Sequence, residues 1–177
     1  RFDFLFNSSK WWDFRSPWAL EQYETFRHIA PSIGFPESHD TPRLVEDLER
    51  DGIRDPALVE AAYRQRYLFA ALFSSGVMMP IGYEFGWGRK LDVVTTRPEP
   101  KEPARFDLSA FIAEVNRMKR DEPLLNEEGP QFKLANGADG MVALKRTRDG
   151  ASDWTIALIN PSGERKTAAP GVVGQGL

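Results

Sequence analysis

The sequence predicts an α/β protein, with strands alternating with helices, followed by a small antiparallel β unit. Two observations predict the first part. Three apolar runs, at Phe2–Phe6, Ser32–Pro36 and Val77–Gly82, each end in a polar or carboxylate-bearing cluster. Stretches of helical period separate them, which is the signature of βα repeats with a parallel sheet. A third observation predicts the second part. After Asn126, short β runs at Gln131–Leu134, Met141–Arg146 and Trp154–Asn160 are divided by the turn signals Asn136-Gly137, Asp149-Gly150 and Asn160-Pro161-Ser162-Gly163. The expected division is therefore residues 1–125 and 126–177.

Phe2, Phe4 and Phe6 alternate with Asp3 and Leu5, predicting a first strand with one or both faces buried. The polar cluster Asn7-Ser8-Ser9-Lys10 then leads to Trp11 and Trp12. Indoles stack on pyranose faces while amides and ammonium groups hold hydroxyls, so Lys10, Trp11 and Trp12 are candidates for a sugar-binding rim. The same tryptophans also suit a core in which their N–H groups are satisfied. Ser16-Pro17 predicts a helix start with Ser16 as N-cap, and Leu20, Tyr23 and Phe26 or Arg27 carry the period to Ala30-Pro31.

The second strand, Ser32–Pro36, runs into Glu37-Ser38-His39-Asp40-Thr41-Pro42-Arg43. A buried strand delivers side chains to a site in this way. Asp40 has the chemistry to hold ligand hydroxyls or a developing positive charge, and His39 to donate to a hydroxyl. The two are adjacent and point to opposite faces unless the strand end turns. Read locally, Asp40 or Thr41 is equally an N-cap with Pro42 at the first helical position. Arg43 either reaches the ligand or pairs with Glu37 or Glu46.

Leu44–Leu48 predicts a short helical turn closed by Asp51-Gly52. Asp55-Pro56 starts a longer helix through about Ser74, with Ala57, Leu58, Ala61, Ala62, Leu68, Ala71 and Leu72 as its apolar stripe. The third strand, Val77–Gly82, ends in Tyr83-Glu84, so a second carboxylate stands at a strand end as ligand contact or structural brace. A proline-rich surface loop follows over Leu91–Arg105. Asp107 then caps a helix with Leu108, Phe111, Ile112, Val115 and Met118 on one face, ending near Glu122-Pro123. The small, glycine-rich last dozen residues read as a loose end or a strand cut short.

Composition bounds the function. With 177 residues, 41% hydrophobic and 28% charged, the chain falls among soluble globular proteins. A net charge of -3 gives no basic footprint and argues against nucleic acid or an anionic membrane as partner. Zero cysteines exclude disulfides, thiol catalysis and zinc-cysteine sites, and fit a reducing, cytoplasmic compartment. Two histidines argue against a His-rich metal site, so neither metal nor cofactor is expected. The longest apolar run, within Tyr67–Pro80, is broken by Ser74, Ser75 and Gly76, short of the roughly 20 residues a membrane span needs. The chain opens at Arg1 with neither a methionine nor a signal-peptide pattern, so a segment of something longer is expected.

Four stretches in order carry a resemblance. Ser38-His39-Asp40-Thr41-Pro42-Arg43 resembles the motif at the end of the seventh barrel strand in the α-amylase family of glycoside hydrolases and transglycosylases. Tyr67–Trp87, a long helix followed by Pro80-Ile81-Gly82-Tyr83-Glu84, is similar to that family's eighth helix-strand segment. Val115-Asn116-Arg117-Met118-Lys119-Arg120-Asp121-Glu122-Pro123-Leu124 is similar to its final barrel helix. Ala143–Arg146 and Ile156–Pro161 resemble the first strands of its C-terminal β domain. The phenylalanine-rich first strand with Asn7–Trp12, and the Gly-Tyr-Glu segment, look closest to the maltosyltransferase-like branch.

The resemblance implies the C-terminal part, about three βα units, of a (β/α)₈ TIM barrel followed by a partial β domain, with the site at the carboxyl ends of the strands. It implies that Asp40 is the third carboxylate, stabilising the transition state, and that His39 is its hydroxyl-binding neighbour; Arg43, Glu84, Lys10, Trp11 and Trp12 stay candidate substrate contacts beside their structural readings. The family's nucleophile and general acid would both precede Arg1. Retaining chemistry needs both, so the chain alone is expected to be inactive. The implied substrate is an α-glucan or maltooligosaccharide. Open edges on a three-stranded sheet predict self-association or assembly with the missing N-terminal half. Two other readings are a non-catalytic carbohydrate-binding or scaffold module, and an unrelated βα-repeat protein in which Asp40 caps a helix.

Overall fold

The computed structural model describes residues 2–97, 102–134, 140–150 and 152–167, the side chain of Ser8 excepted. The Asn136-Gly137 turn, the middle of the proline-rich loop and the last ten residues lie outside these. Strands β1 (Leu5–Phe6), β2 (Ser32–Gly34) and β3 (Gly76–Val77) form a parallel sheet in that order. Helix α1 (Trp18–Phe26) connects β1 to β2, and α2 (Leu44–Arg50) and α3 (Pro56–Phe73) connect β2 to β3. Helix α4 (Ser109–Asp121) leads to an antiparallel sheet of β4 (Gln131–Leu134), β5 (Val142–Thr147) and β6 (Trp154–Ile159), with β5 in the middle. Among the described residues no helix is long and apolar enough to cross a membrane.

The parallel strands are shorter than their apolar runs. β3 adds one further bond, from Met78 N to Gly34 O at 2.9 Å, before Pro80, which has no N–H to give, ends the ladder. The expected burial of the first strand is not found. Phe2, Phe4 and Phe6 are 65%, 60% and 63% exposed, and of the three only Phe6 lies in β1, whose one strand partner among the described residues is β2. Ser16 is not an N-cap either. The Asp13 carboxylate takes the Ser16 N–H and hydroxyl, and Pro17 holds the cap position of α1 without a side-chain bond.

Helix α3 begins as predicted, with the Asp55 carboxylate accepting from Ala57 N and Leu58 N and Pro56 at its first turn. Its buried residues are Val59, Tyr63, Tyr67, Phe69, Ala70, Ala71 and Phe73, while Leu58 is exposed. The predicted stripe holds toward the carboxyl end, where Ala71 is buried and Ala62 and Leu68 pack against the core, and fails at Ala57, Leu58 and Ala61, which are exposed; it omitted the buried aromatic residues because α3 packs on two sides. Tyr63 and Tyr67 join a core with Val45, Tyr83, Leu108 and Ile112. Phe69 and Phe73 join another with Trp12, Phe14, Tyr23 and Leu144. Gly34 lets β2 lie close to this helix, since a Cβ there would stand 2.6 Å from Ala70 O.

One carboxylate ties the amino end of the parallel sheet to the chain that follows α4. Glu128 Oε1 accepts from Ser32 N at 2.6 Å, Ser32 Oγ at 2.8 Å and Ser75 Oγ at 2.6 Å, and Oε2 accepts from the Tyr23 hydroxyl. Burial raises its pKa, but the bonds from Ser75, Tyr23 and Ser32 outweigh that and leave it below the usual value. A carboxylate depressed in the folded state contributes stability that is present above its unfolded pKa of about 4.3 and is lost as pH falls through the folded value. Glu128→Gln should therefore lower the thermal midpoint at pH 7 and flatten the acid limb of a midpoint-against-pH curve. An unchanged acid limb would remove Glu128 from the account.

Candidate functional site

The polar stretch after β2 folds into a braced turn. Glu37 is fully buried and accepts from Leu44 N at 2.5 Å and Tyr63 Oη at 3.2 Å, so it caps α2 from seven residues before its first residue. The Tyr63 hydroxyl in turn accepts from Val45 N at 3.1 Å. Two of the N–H groups that a helix start leaves unpaired are thus satisfied from the interior, with a carboxylate at the positive end of the dipole. Burial pushes the Glu37 carboxyl up, against the Arg43 charge and the Leu44 and Tyr63 donors.

Arg43 takes the structural of its two predicted roles. Its side chain is 1% exposed and pairs with Glu37 Oε2 at 3.3 Å. Its Nε donates to Trp87 O at 2.9 Å and Nη2 to Ile81 O at 3.2 Å. The guanidinium therefore fastens the loop after β3 to the loop after β2. The loop after β3 turns on Gly82, whose φ of 85° favours glycine and where a Cβ would run into the Trp87 ring.

Lys10 is equally committed. Its side chain is 4% exposed, and Nζ donates to Thr41 Oγ1 at 2.6 Å and Pro42 O at 3.4 Å, with Asp47 Oδ2 at 3.7 Å. Desolvation lowers its pKa, opposed by the charges of Asp47 and Glu37. The Thr41 hydroxyl also donates to Ser38 O at 3.3 Å, closing a turn with His39 and Asp40 at its apex.

These two side chains face outward. The Asp40 side chain is 81% exposed and that of His39 49%, with His39 Nε2 3.3 Å from Asp40 Oδ1. The turn brings the adjacent pair together, as a straight strand does not. Asp40 and Thr41 do not cap α2. Arg43 holds the cap position, without a side-chain bond, and Glu37 serves Leu44 N.

The two tryptophans part company. Trp11 is 53% exposed and sets its ring edge-on to Phe35 at 5.8 Å. Trp12 is completely buried among Phe14, Phe69 and Phe73, its Nε1 donating to Ser16 O at 2.8 Å. It is core and cannot form a rim. Glu84 lies half-buried in the 3₁₀ turn Tyr83–Phe85, with Oε2 enclosed and without a hydrogen-bond partner among the described residues. Beside Ile81 and Trp87 a cleft of about 240 Å³ is lined also by Arg89, Leu91, Arg97 and Glu102. A larger cavity, about 310 Å³, lies between α3, α4 and the antiparallel sheet and contains none of the candidate residues. Among the described residues no group of three or more His, Cys, Asp or Glu could hold a metal ion.

Glu37 was expected only as a possible partner of Arg43, not as the buried acceptor that also caps α2. Its signal was a carboxylate directly after the apolar run Gly34-Phe35-Pro36, with an arginine six residues on. An ion found at the end of a buried strand is either aimed at a ligand or neutralised inside, and the second applies to Glu37.

The chain is 35% identical over 169 residues to an α-1,4-glucan:maltose-1-phosphate maltosyltransferase of Burkholderia pseudomallei. That match covers 90% of this chain and 14% of the relative. In structure, 90% of the chain superposes on 38% of a maltogenic α-amylase from Thermotoga neapolitana, with a TM-score of 0.57 and 16% identity. At that identity the superposition shows the fold alone. No family model matches the chain. Sequence likeness to a segment of a maltosyltransferase and fold likeness to part of a maltogenic amylase both support the resemblance to the α-amylase family, and the chain spans only part of the length of the relatives it matches.

Proposed function

We propose that this chain forms one wall of a glucosyl subsite in an enzyme acting on α-linked glucans, by hydrolysis or by glycosyl transfer. In this reading residues 1–125 are the last three βα units of a (β/α)₈ barrel and residues 126–177 begin a C-terminal β domain. The observation that carries it is the turn Ser38–Thr41. Around it Glu37 and Arg43 are buried and paired with each other, and Lys10 is buried on Thr41, Pro42 and Asp47, while the Asp40 and His39 side chains alone in that stretch are left facing outward at the carboxyl end of a parallel strand. Strand ends are where barrel enzymes keep their sites.

The chemistry assigned to each group follows from its charge and exposure. Asp40 accepts hydrogen bonds from sugar hydroxyls and opposes the positive charge that builds on the ring as the glycosidic bond breaks. His39 donates to a neighbouring hydroxyl and holds the carboxylate in place. The exposed Trp11 ring offers a stacking face, and Glu84 a further acceptor. Arg43 and Lys10 act from beneath as braces. The nucleophile and general acid belong to other parts of the polypeptide, which also cover the exposed phenylalanine edge of β1, whether by assembly with the barrel's N-terminal half or by self-association.

The test compares the isolated 177-residue chain with the full polypeptide. Maltooligosaccharide is supplied alone and with maltose 1-phosphate as donor. Turnover is expected from the full polypeptide and none from the isolated chain. Release of reducing sugar by the isolated chain, abolished by Asp40→Asn, would overturn the division of labour, and no turnover by either would overturn the glucan reading.

A further inference from the structure

We infer that Lys10 is a positioning residue for Asp40, acting through the Thr41 hydroxyl; this rests on the reading of Asp40 as a substrate contact. Lys10 comes from the 3₁₀ turn Ser8–Trp11 after β1 and crosses to the loop after β2, 31 residues further on. Three features make it more than a surface ion pair.

Its side chain is almost wholly enclosed, so the ammonium is fixed in position and not exchanging among rotamers in water. Its shortest contact, 2.6 Å, is to Thr41 Oγ1, ahead of Asp47 at 3.7 Å. Thr41 is also the residue that closes the turn. Its hydroxyl proton goes to Ser38 O at 3.3 Å, leaving its lone pairs for the ammonium, so one atom receives from Lys10 and donates across the base of the His39-Asp40 apex. Pro42 O, a further acceptor of the same ammonium, fixes the outgoing limb of the turn.

Among the described residues the Asp40 carboxylate meets His39 alone, which is itself half-exposed. Its direction is therefore set by the backbone of the turn, and the turn is held through Thr41. An active-site carboxylate misplaced by about 1 Å costs on the order of a hundredfold in rate. Loss of the Lys10 link should consequently appear in kcat, not in substrate binding. Folding should survive, because methionine refills the stem and Asp47, at 22% side-chain exposure, keeps Arg50 at 2.8 Å and water as partners.

The experiment is a double-mutant cycle in the full polypeptide with maltooligosaccharide, alone and with maltose 1-phosphate. Lys10→Met should lower kcat by roughly ten- to a hundredfold with KM within about threefold, and Lys10→Arg should recover most of the loss. Lys10→Met combined with Asp40→Asn should fall no further than Asp40→Asn alone, since both remove the same contact. Wild-type kcat in Lys10→Met, or additive losses in the double variant, would overturn the inference. Should Lys10→Met fail to fold, Thr41→Val reads the same link from its other end, and wild-type kcat there is equally fatal. Full activity in Asp40→Asn would instead overturn the reading of the site itself.

Discussion

Asp40→Asn in the full polypeptide is expected to lower kcat on α-linked glucan by roughly a hundred- to a thousandfold while leaving the thermal midpoint unchanged. The size follows from the kind of interaction removed. Asparagine keeps the shape and one acceptor oxygen but loses the charge, and a charge aimed at a developing oxocarbenium ion is worth several kcal/mol only in the transition state. Deleting a single preorganised electrostatic partner of this sort elsewhere costs about 10²–10³ in rate. KM should move less, because the ground-state sugar carries no positive charge. The unchanged stability follows from exposure. The Asp40 side chain is 81% in solvent, with His39 its one polar partner among the described residues, and changes at such positions stay within about 0.5 kcal/mol. Asp51→Asn is the matched control, since that carboxylate is 66% exposed at the far end of α2, and it should change neither quantity. An Asp40→Asn variant within a fewfold of wild type would remove the residue from the chemistry.

What the sequence made legible was local. The alternation of apolar runs with helical stretches located β2, α3 and the antiparallel strands, because each is specified by its own period and caps: Asp55-Pro56 starts α3 where a capping residue and a first-turn proline require it. What it did not show was which side of an element meets which neighbour. Trp11 and Trp12 are consecutive aromatic residues with the same chemistry, yet one is 53% exposed and the other buried, a difference set by the position of α3 and not by either residue. Lys10 and Arg43 are cations that pattern alone assigns to the surface or to a ligand. Their burial depends on acceptors 31 to 44 residues away, at Thr41, Pro42, Ile81 and Trp87. Asp40 was the opposite case: its local context allowed a helix cap, and the cap was made by Glu37 instead.

The largest expected loss of stability comes from a lysine on the apolar face of α4. That face buries Ile112, Val115 and Lys119, at a spacing that would normally carry three hydrophobic residues. The reason lies in the carboxyl end of α3. The helix stops at Ser74 in extended conformation, with no left-handed glycine to fold the chain back over its last carbonyls. Those carbonyls are served by side chains from three other elements. Lys119 donates to Ala71 O at 2.9 Å and Ser74 O at 2.8 Å, Arg146 of β5 to Leu72 O at 2.8 Å, and Gln131 of β4 to Phe73 O at 2.7 Å. Lys119 also donates to Leu125 O. Two cations thus meet the negative end of the longest helix, joining the parallel-sheet part to the antiparallel sheet.

Burial pushes the Lys119 ammonium down to about 7, the Arg146 charge adds to this, and Glu128 opposes it. That desolvation is the cost against which the capping must be weighed. Lys119→Met removes the cost but strips three carbonyls of their donor in a site water does not reach. Each such carbonyl costs about 1–3 kcal/mol, so the loss exceeds what the relieved desolvation returns, and a net destabilisation of about 2–4 kcal/mol is expected. For a chain of this size that is a fall of roughly 5–15 °C in thermal midpoint. Arg146→Met should add less than its separate effect, because Leu72 O shares the same helix end and a frayed terminus is lost only once. Neutral or raised stability in Lys119→Met, the outcome met when a buried ion is replaced by a well-packed apolar side chain, would mean that desolvation dominates and that α3 does not depend on this cap.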